Sequence, residues 1–81
     1  MPGVGELKLE SFFASRSGVC VYVTIGKRTF RIQFVDPSAH GVVVEGGREG
    51  AEEACSVARQ ALRKHAEGLA PLFAKVARAT T

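Results

Sequence analysis

From Val19 to Val35 the chain reads Val-Cys-Val-Tyr-Val-Thr-Ile, then Gly-Lys-Arg-Thr, then Phe-Arg-Ile-Gln-Phe-Val, and this stretch leaves little choice of local structure. Alternation of apolar and polar residues on both sides of a short glycine-containing break is the pattern of a β-hairpin. It places Val19, Val21, Val23, Ile25, Phe30, Ile32 and Phe34 on one side and Cys20, Tyr22, Thr24, Thr29, Arg31 and Gln33 on the other. If Gly26 and Lys27 form the turn, Tyr22 lies opposite Arg31; if Lys27 and Arg28 form it, Tyr22 lies opposite Gln33. Both registers keep the apolar set together. A one-residue slip would bury Arg31 and Gln33 without partners and expose the phenylalanines, so it is disfavoured.

The flanking segments extend this hairpin into a sheet. Glu6 to Phe13 alternates as Glu-Leu-Lys-Leu-Glu before Ser-Phe-Phe. That predicts a first strand with Leu7 and Leu9 inward and with Lys8, Glu10 and Phe12 outward. Ala14 to Gly18 reads as a loop, Asp36-Pro37-Ser38 as a turn, and Gly41 to Glu45 as a short valine-rich fourth strand. From Arg48 to Glu67 the period changes to that of a helix. Ala51, Ala54, Cys55, Ala58, Ala61 and Leu62 form an apolar stripe that Leu69 continues, and Glu52, Glu53, Arg59, Gln60, Arg63 and Lys64 fill the other side. Alanines on the stripe permit close approach to the sheet. Gly68 and Pro71 are expected to end this helix and open another over residues 70–79, where Leu72, Phe73 and Val76 either complete the core or meet a partner subunit. The expected architecture is α+β: one domain over residues 1–81, with a four-stranded antiparallel meander over about residues 5–45. One face is covered by a long helix over 48–67 and a short second helix.

Composition sets the outer bounds. A chain of 81 residues is near the lower size at which one hydrophobic core suffices, which makes oligomerisation a fair expectation. Its hydrophobic fraction of 46% argues against disorder. No aliphatic run is long enough to span a bilayer, and no basic segment followed by an apolar stretch opens the chain, so a cytoplasmic, membrane-free protein is expected. Cys20 points to the open sheet face and Cys55 to the helix stripe, a placement that predicts two free thiols.

The net charge of +3 is unevenly distributed. Residues 11–35 carry Arg16, Lys27, Arg28 and Arg31 with no acid, whereas Asp36, Glu45, Glu49, Glu52 and Glu53 gather before and at the start of the predicted helix. Acids at a helix start complement its dipole and have a local reason to be there. The basic hairpin has no equally local reason.

Catalytic and metal-binding patterns are weak. Asp36, Ser38 and His40 have the residue types of a hydrolase triad, but they crowd into one turn and cannot supply separately oriented groups. Cys20, His40, Cys55 and His65 show neither a Cys-x-x-Cys nor a close His pair. Glu45-Gly46-Gly47-Arg48-Glu49-Gly50 joins a strand to a helix, yet it lacks the spacing and the Lys-Ser/Thr ending of phosphate loops, and glutamates flank it. The expectation is a non-enzymatic chain with no metal and no cofactor.

The outward hairpin face carries the functional signal: an aromatic ring, a stretch without acids, and Lys27-Arg28 at the tip. Thr, Arg and Gln are also ordinary solvent-side residues of any half-exposed sheet. The sequence Val-Tyr-Val-Thr-Ile-Gly-Lys-Arg-Thr-Phe-Arg-Ile-Gln-Phe, set among four antiparallel strands and followed by a long helix, resembles the β4α single-stranded-DNA-binding proteins. The ThermoDBP family of hyperthermophilic archaea and its related proteins are nearest, with PC4-like coactivators and Pur-type domains more distant. The resemblance covers residues 6–67 and rests on element order and character. It implies binding of single strands without strong sequence preference, and a homodimer. On this reading Tyr22 and Phe12 stack bases, Lys27, Arg28 and Arg31 neutralise phosphates, and Thr24 and Gln33 add hydrogen bonds. Arg59 and Arg63, one helical turn apart, extend the basic track around an edge. Two alternatives stand beside it. One is a duplex-DNA reader similar to AP2-like and integrase-arm domains, using Lys27-Arg28-Thr29-Phe30-Arg31. The other is a small interaction module that dimerises through its C-terminal helices.

Overall fold

A computed structural model of the chain describes residues 7–38 and 42–80. Strands β1 (Phe12–Ser15), β2 (Gly18–Ile25), β3 (Arg28–Phe34) and β4 (Val42–Glu45) form one antiparallel sheet in the order β1-β2-β3-β4. Helices α1 (Ala51–Lys64) and α2 (Ala66–Thr80) follow. Both lie on the same side of the sheet, α1 over β2 and β3, α2 over β1 and β2. This is the α+β meander that the alternation implied.

Gly26 and Lys27 make the hairpin turn, so that Tyr22 pairs with Arg31 and Val23 with Phe30. A φ of +62° at Gly26 fits the first position of a tight hairpin turn, where a side chain is strained. Val19, Val21, Val23, Phe30, Ile32 and Phe34 are buried on the helix-facing side. Against them pack Ala54, Val57, Ala58, Ala61 and Leu62 of α1 and Leu69 of α2. Small alanines opposite large phenylalanines let helix and sheet interdigitate, and each fully buried Phe or Leu contributes about 1.5–3 kcal/mol. Leu72, Phe73 and Val76 are half-buried and pack against this core.

Phe30 also fixes the connection from β4 to α1. A Cβ at Gly46 would lie 2.8 Å from Phe30 Cδ2 and 2.9 Å from the Thr29 carbonyl oxygen, at a φ of +139°. Gly50, the residue before α1, sits over the same ring with a φ of +83°. The glycines are therefore conformational, letting the backbone fold tightly over a buried aromatic ring. Glu52 and Glu53 in the first turn of α1 and Arg63 and Lys64 in the last both suit its dipole.

Three local expectations need correction. The first strand is not Glu6 to Phe13: Leu9–Ser11 form a single 3-10 turn, the strand begins at Phe12, and the segment expected as a loop supplies Ala14 and Ser15 to it. As a result Phe12 is buried on the helix side and Phe13 faces outward. Leu9 is partly exposed and outside the core, though Leu7 does pack against it. Nor does the helix break fall at Gly68 and Pro71, both of which lie inside α2; it falls at His65, and α2 is as long as α1 rather than short. Pro71 stands in the second turn of α2, where it has no N–H to donate to the carbonyl of Glu67. Hydrogen bonds from His65 N to Ala61 O and from Leu69 N to His65 O carry the backbone through the bend. The His65 ring completes the corner, its Nε2 lying 3.1 Å from the Leu7 carbonyl oxygen. No helix among the described residues is long and apolar enough to cross a membrane.

Candidate nucleic-acid interface

With both helices on one side, no helix or strand of the described residues covers the opposite face of the sheet, and strand register determines what it displays. Phe13, Cys20, Gln33 and Val43 form one row across the four strands; Tyr22, Arg31 and Glu45 form a row displaced along the strands. Thr24 pairs with Thr29 nearer the hairpin tip, their hydroxyl oxygens 3.2 Å apart.

Phe13 and Tyr22 are diagonal neighbours and stack, with ring centroids 5.7 Å apart and planes inclined by 21°. Tyr22 is 53% exposed and Phe13 38%. Beneath the row Cys20 is fully buried; its thiol lies 3.4 Å from Ser15 Oγ and 3.8 Å from Gln33 Oε1, either of which can accept its hydrogen. Both cysteines are free thiols. Arg31 Nη1 donates to Glu45 Oε2 at 3.3 Å, and Arg28 Nη2 lies 3.6 Å from Glu49 Oε2. These exposed pairs contribute about 0–1 kcal/mol each to stability, but they decide which charges the face presents.

The structure brings only part of the expected site together. Tyr22, Thr24, Arg31 and Gln33 share the open face, and Lys27 projects from the hairpin tip. Phe12 does not belong to it, because its register opposite Val21 turns it into the core. Arg28 pairs with Ile25 on the helix-facing alternation and turns toward Glu49 in the loop before α1. Arg59 and Arg63 are exposed on α1, beside Cys55, Ser56 and Gln60, and so belong to the layer across the sheet from Tyr22.

Phe13 and Glu45 stand on this face although the sequence pattern did not assign them to it. Phe13 was readable in principle: Phe12 and Ala14 are apolar at one parity while Phe13 precedes Ser15 at the other, a β pattern that begins one element later than expected. Glu45 was not, since only the pairing of β4 with β3 sets it opposite Arg31. The turn at Asp36 is a local structure, with the Ser38 backbone N–H donating to Asp36 Oδ1 at 2.9 Å and the Ser38 hydroxyl bonding to the same oxygen. His40, the third member of the weak triad, lies outside the described residues. Among the described residues no group of three His, Cys, Asp or Glu side chains is placed to hold a metal ion.

The fold and face define a two-layer α+β domain with an open antiparallel sheet. Comparison with protein-family models, with curated proteins and with solved structures found no match.

Proposed function

We propose that this chain binds single-stranded nucleic acid, DNA in the first instance, across the open sheet face. The observation that carries the reading is the exposed, stacked Phe13–Tyr22 pair, with Arg31 opposite Tyr22 in the strand register. Stacking on an exposed ring is worth about 1–3 kcal/mol per base and tolerates any base, because every base has a π face. The cations lie around the rings. Arg16 is in the turn before β2 and Lys27 in the turn after it, at opposite ends of a strand about 26 Å long at ~3.3 Å per residue. That arrangement lets phosphates be held at the margins while bases lie over the middle. The homodimer implied by the resemblance is part of the proposal: two such platforms on one particle would raise affinity through effective concentration.

Tyr22 is the one tyrosine in a chain without tryptophan, so intrinsic fluorescence reports this position directly. Titration with short single-stranded DNA is expected to give saturable quenching that weakens with salt. An unchanged signal, with no binding detected by anisotropy of labelled oligonucleotides, would overturn the proposal. Tighter binding to duplex than to either of its separated strands would favour groove readout instead.

A further inference from the structure

Glu45 is a carboxylate on the face where the nucleic-acid reading, on which this inference rests, places a polyanion. It is not buried and it is not needed to cover the core: its side chain is 62% exposed. It is held in place by Arg31, but incompletely. Arg31 Nη1 reaches only Oε2, at 3.3 Å, so Oε1 and the remaining guanidinium N–H groups have no protein partner among the described residues. The pair thus presents donors and an acceptor side by side. Register places Tyr22 directly opposite Arg31 and Arg31 directly opposite Glu45. Two strand spacings, about 9.5 Å, separate the backbone under the exposed ring from the backbone under the carboxylate. A base stacked on the exposed side of Tyr22 is wide enough to bring its Watson–Crick edge within reach of the pair.

Base edges differ in how they meet a donor next to an acceptor. Guanine offers O6 as acceptor followed by N1–H and N2–H as adjacent donors, so that a guanidinium can serve the first while a carboxylate accepts from both others. Thymine and uracil place a carbonyl on each side of their single N–H, and the second carbonyl repels a carboxylate. Cytosine and adenine present one amino donor and leave one carboxylate oxygen unmatched. We infer that Arg31 and Glu45 form a base-selective element that favours guanine on the Tyr22 ring, with Glu45 as the specificity-determining acceptor. Glu45 thereby also weakens binding of strands that lack the matching donors, since its carboxylate then meets a base carbonyl or an edge with no second donor.

The test uses the whole chain and heptanucleotides of thymidine in which the central base is thymine, guanine or hypoxanthine, read by Tyr22 quenching and by competition anisotropy. The guanine strand is expected to bind about five-fold or more tighter than the all-thymine strand, the lower end expected for a bidentate contact. The hypoxanthine strand, which lacks the 2-amino group, should fall between them. Glu45→Gln should bring the guanine and thymine strands within about two-fold while binding the thymine strand at least as tightly as the unmodified protein does. Glu49→Gln, which removes an equal charge away from the face, should leave the guanine preference intact. Equal affinity of the unmodified protein for all three strands, with quenching preserved, overturns the base selectivity alone. A preference that survives in Glu45→Gln overturns the role of the carboxylate. Absence of binding to every strand overturns the nucleic-acid reading and this inference with it.

Discussion

Phe12 and Phe13 are chemically identical neighbours with opposite tasks. Phe12 is 5% exposed among core residues, and Phe13 stacks on Tyr22 in solvent. Truncating each should therefore separate stability from binding. Phe12→Ala removes a buried ring and is expected to cost about 3–5 kcal/mol in urea denaturation, enough to unfold a domain of this size at moderate temperature. Phe13→Ala should cost stability less than about 1.5 kcal/mol, the worth of an aromatic pair, yet weaken oligonucleotide binding roughly ten-fold. The reverse pattern would mean that the first strand runs in the other register. Gly46 provides a second residue-scale expectation. Its φ of +139° and the 2.9 Å approach of a would-be Cβ to the Thr29 carbonyl oxygen leave no room for relief. Gly46→Ala should destabilise by about 1–3 kcal/mol, measured by thermal or chemical unfolding.

At the scale of elements, the hairpin was legible because its determinants are local. Alternation, a turn glycine and the penalty for burying Arg31 act within a few residues of one another, and both candidate turns led to the same two faces. The helical corner was less legible. Gly68 and Pro71 are ordinary helix-ending signals, but Leu69 is fully buried and Leu72, Phe73 and Val76 also pack against the core, so packing holds that segment helical despite them. Gly68 is nonetheless not essential to the corner. A Cβ there would lie 2.8 Å from Leu9 Cδ2, the mobile end of a partly exposed side chain that can swing away. Gly68→Ala should thus change stability by less than about 1 kcal/mol, in contrast to Gly46→Ala, because the helix-propensity gain offsets the lost Leu9 contact. The His65 ring ties the corner to the segment before β1 through the Leu7 carbonyl. His65→Ala should cost roughly 1 kcal/mol and speed amide exchange in residues 7–11 more than in β2.

At the scale of the whole molecule, charge is the property that folding rearranges most. Read linearly, residues 11–35 are basic and without acids, and the following segment is acidic. In three dimensions the acidic segment returns to the basic one: Glu45 meets Arg31 and Glu49 meets Arg28. The open face is therefore aromatic and nearly charge-balanced at its centre rather than a basic patch, and binding should depend on salt only modestly. Neutralising about two or three phosphates gives a slope of log K against log salt near −2 for single strands. A slope several units steeper would place the contact on a different, more basic surface. Sedimentation equilibrium would decide whether the particle that binds is the proposed dimer.

Side-chain period and turn chemistry are properties of adjacent residues, and they suffice for the class of the fold, the two faces of the hairpin and the place of Tyr22, Thr24, Arg31 and Gln33 on the outer one. Tertiary structure alone decided which of two neighbouring phenylalanines joined Tyr22, which arginines stayed on that face, and that Glu45 came to stand beside Arg31. Each of these depends on pairing between strands separated along the chain. A one-residue difference in where a strand begins exchanges inside for outside, and no local pattern encodes what a distant strand will set opposite it.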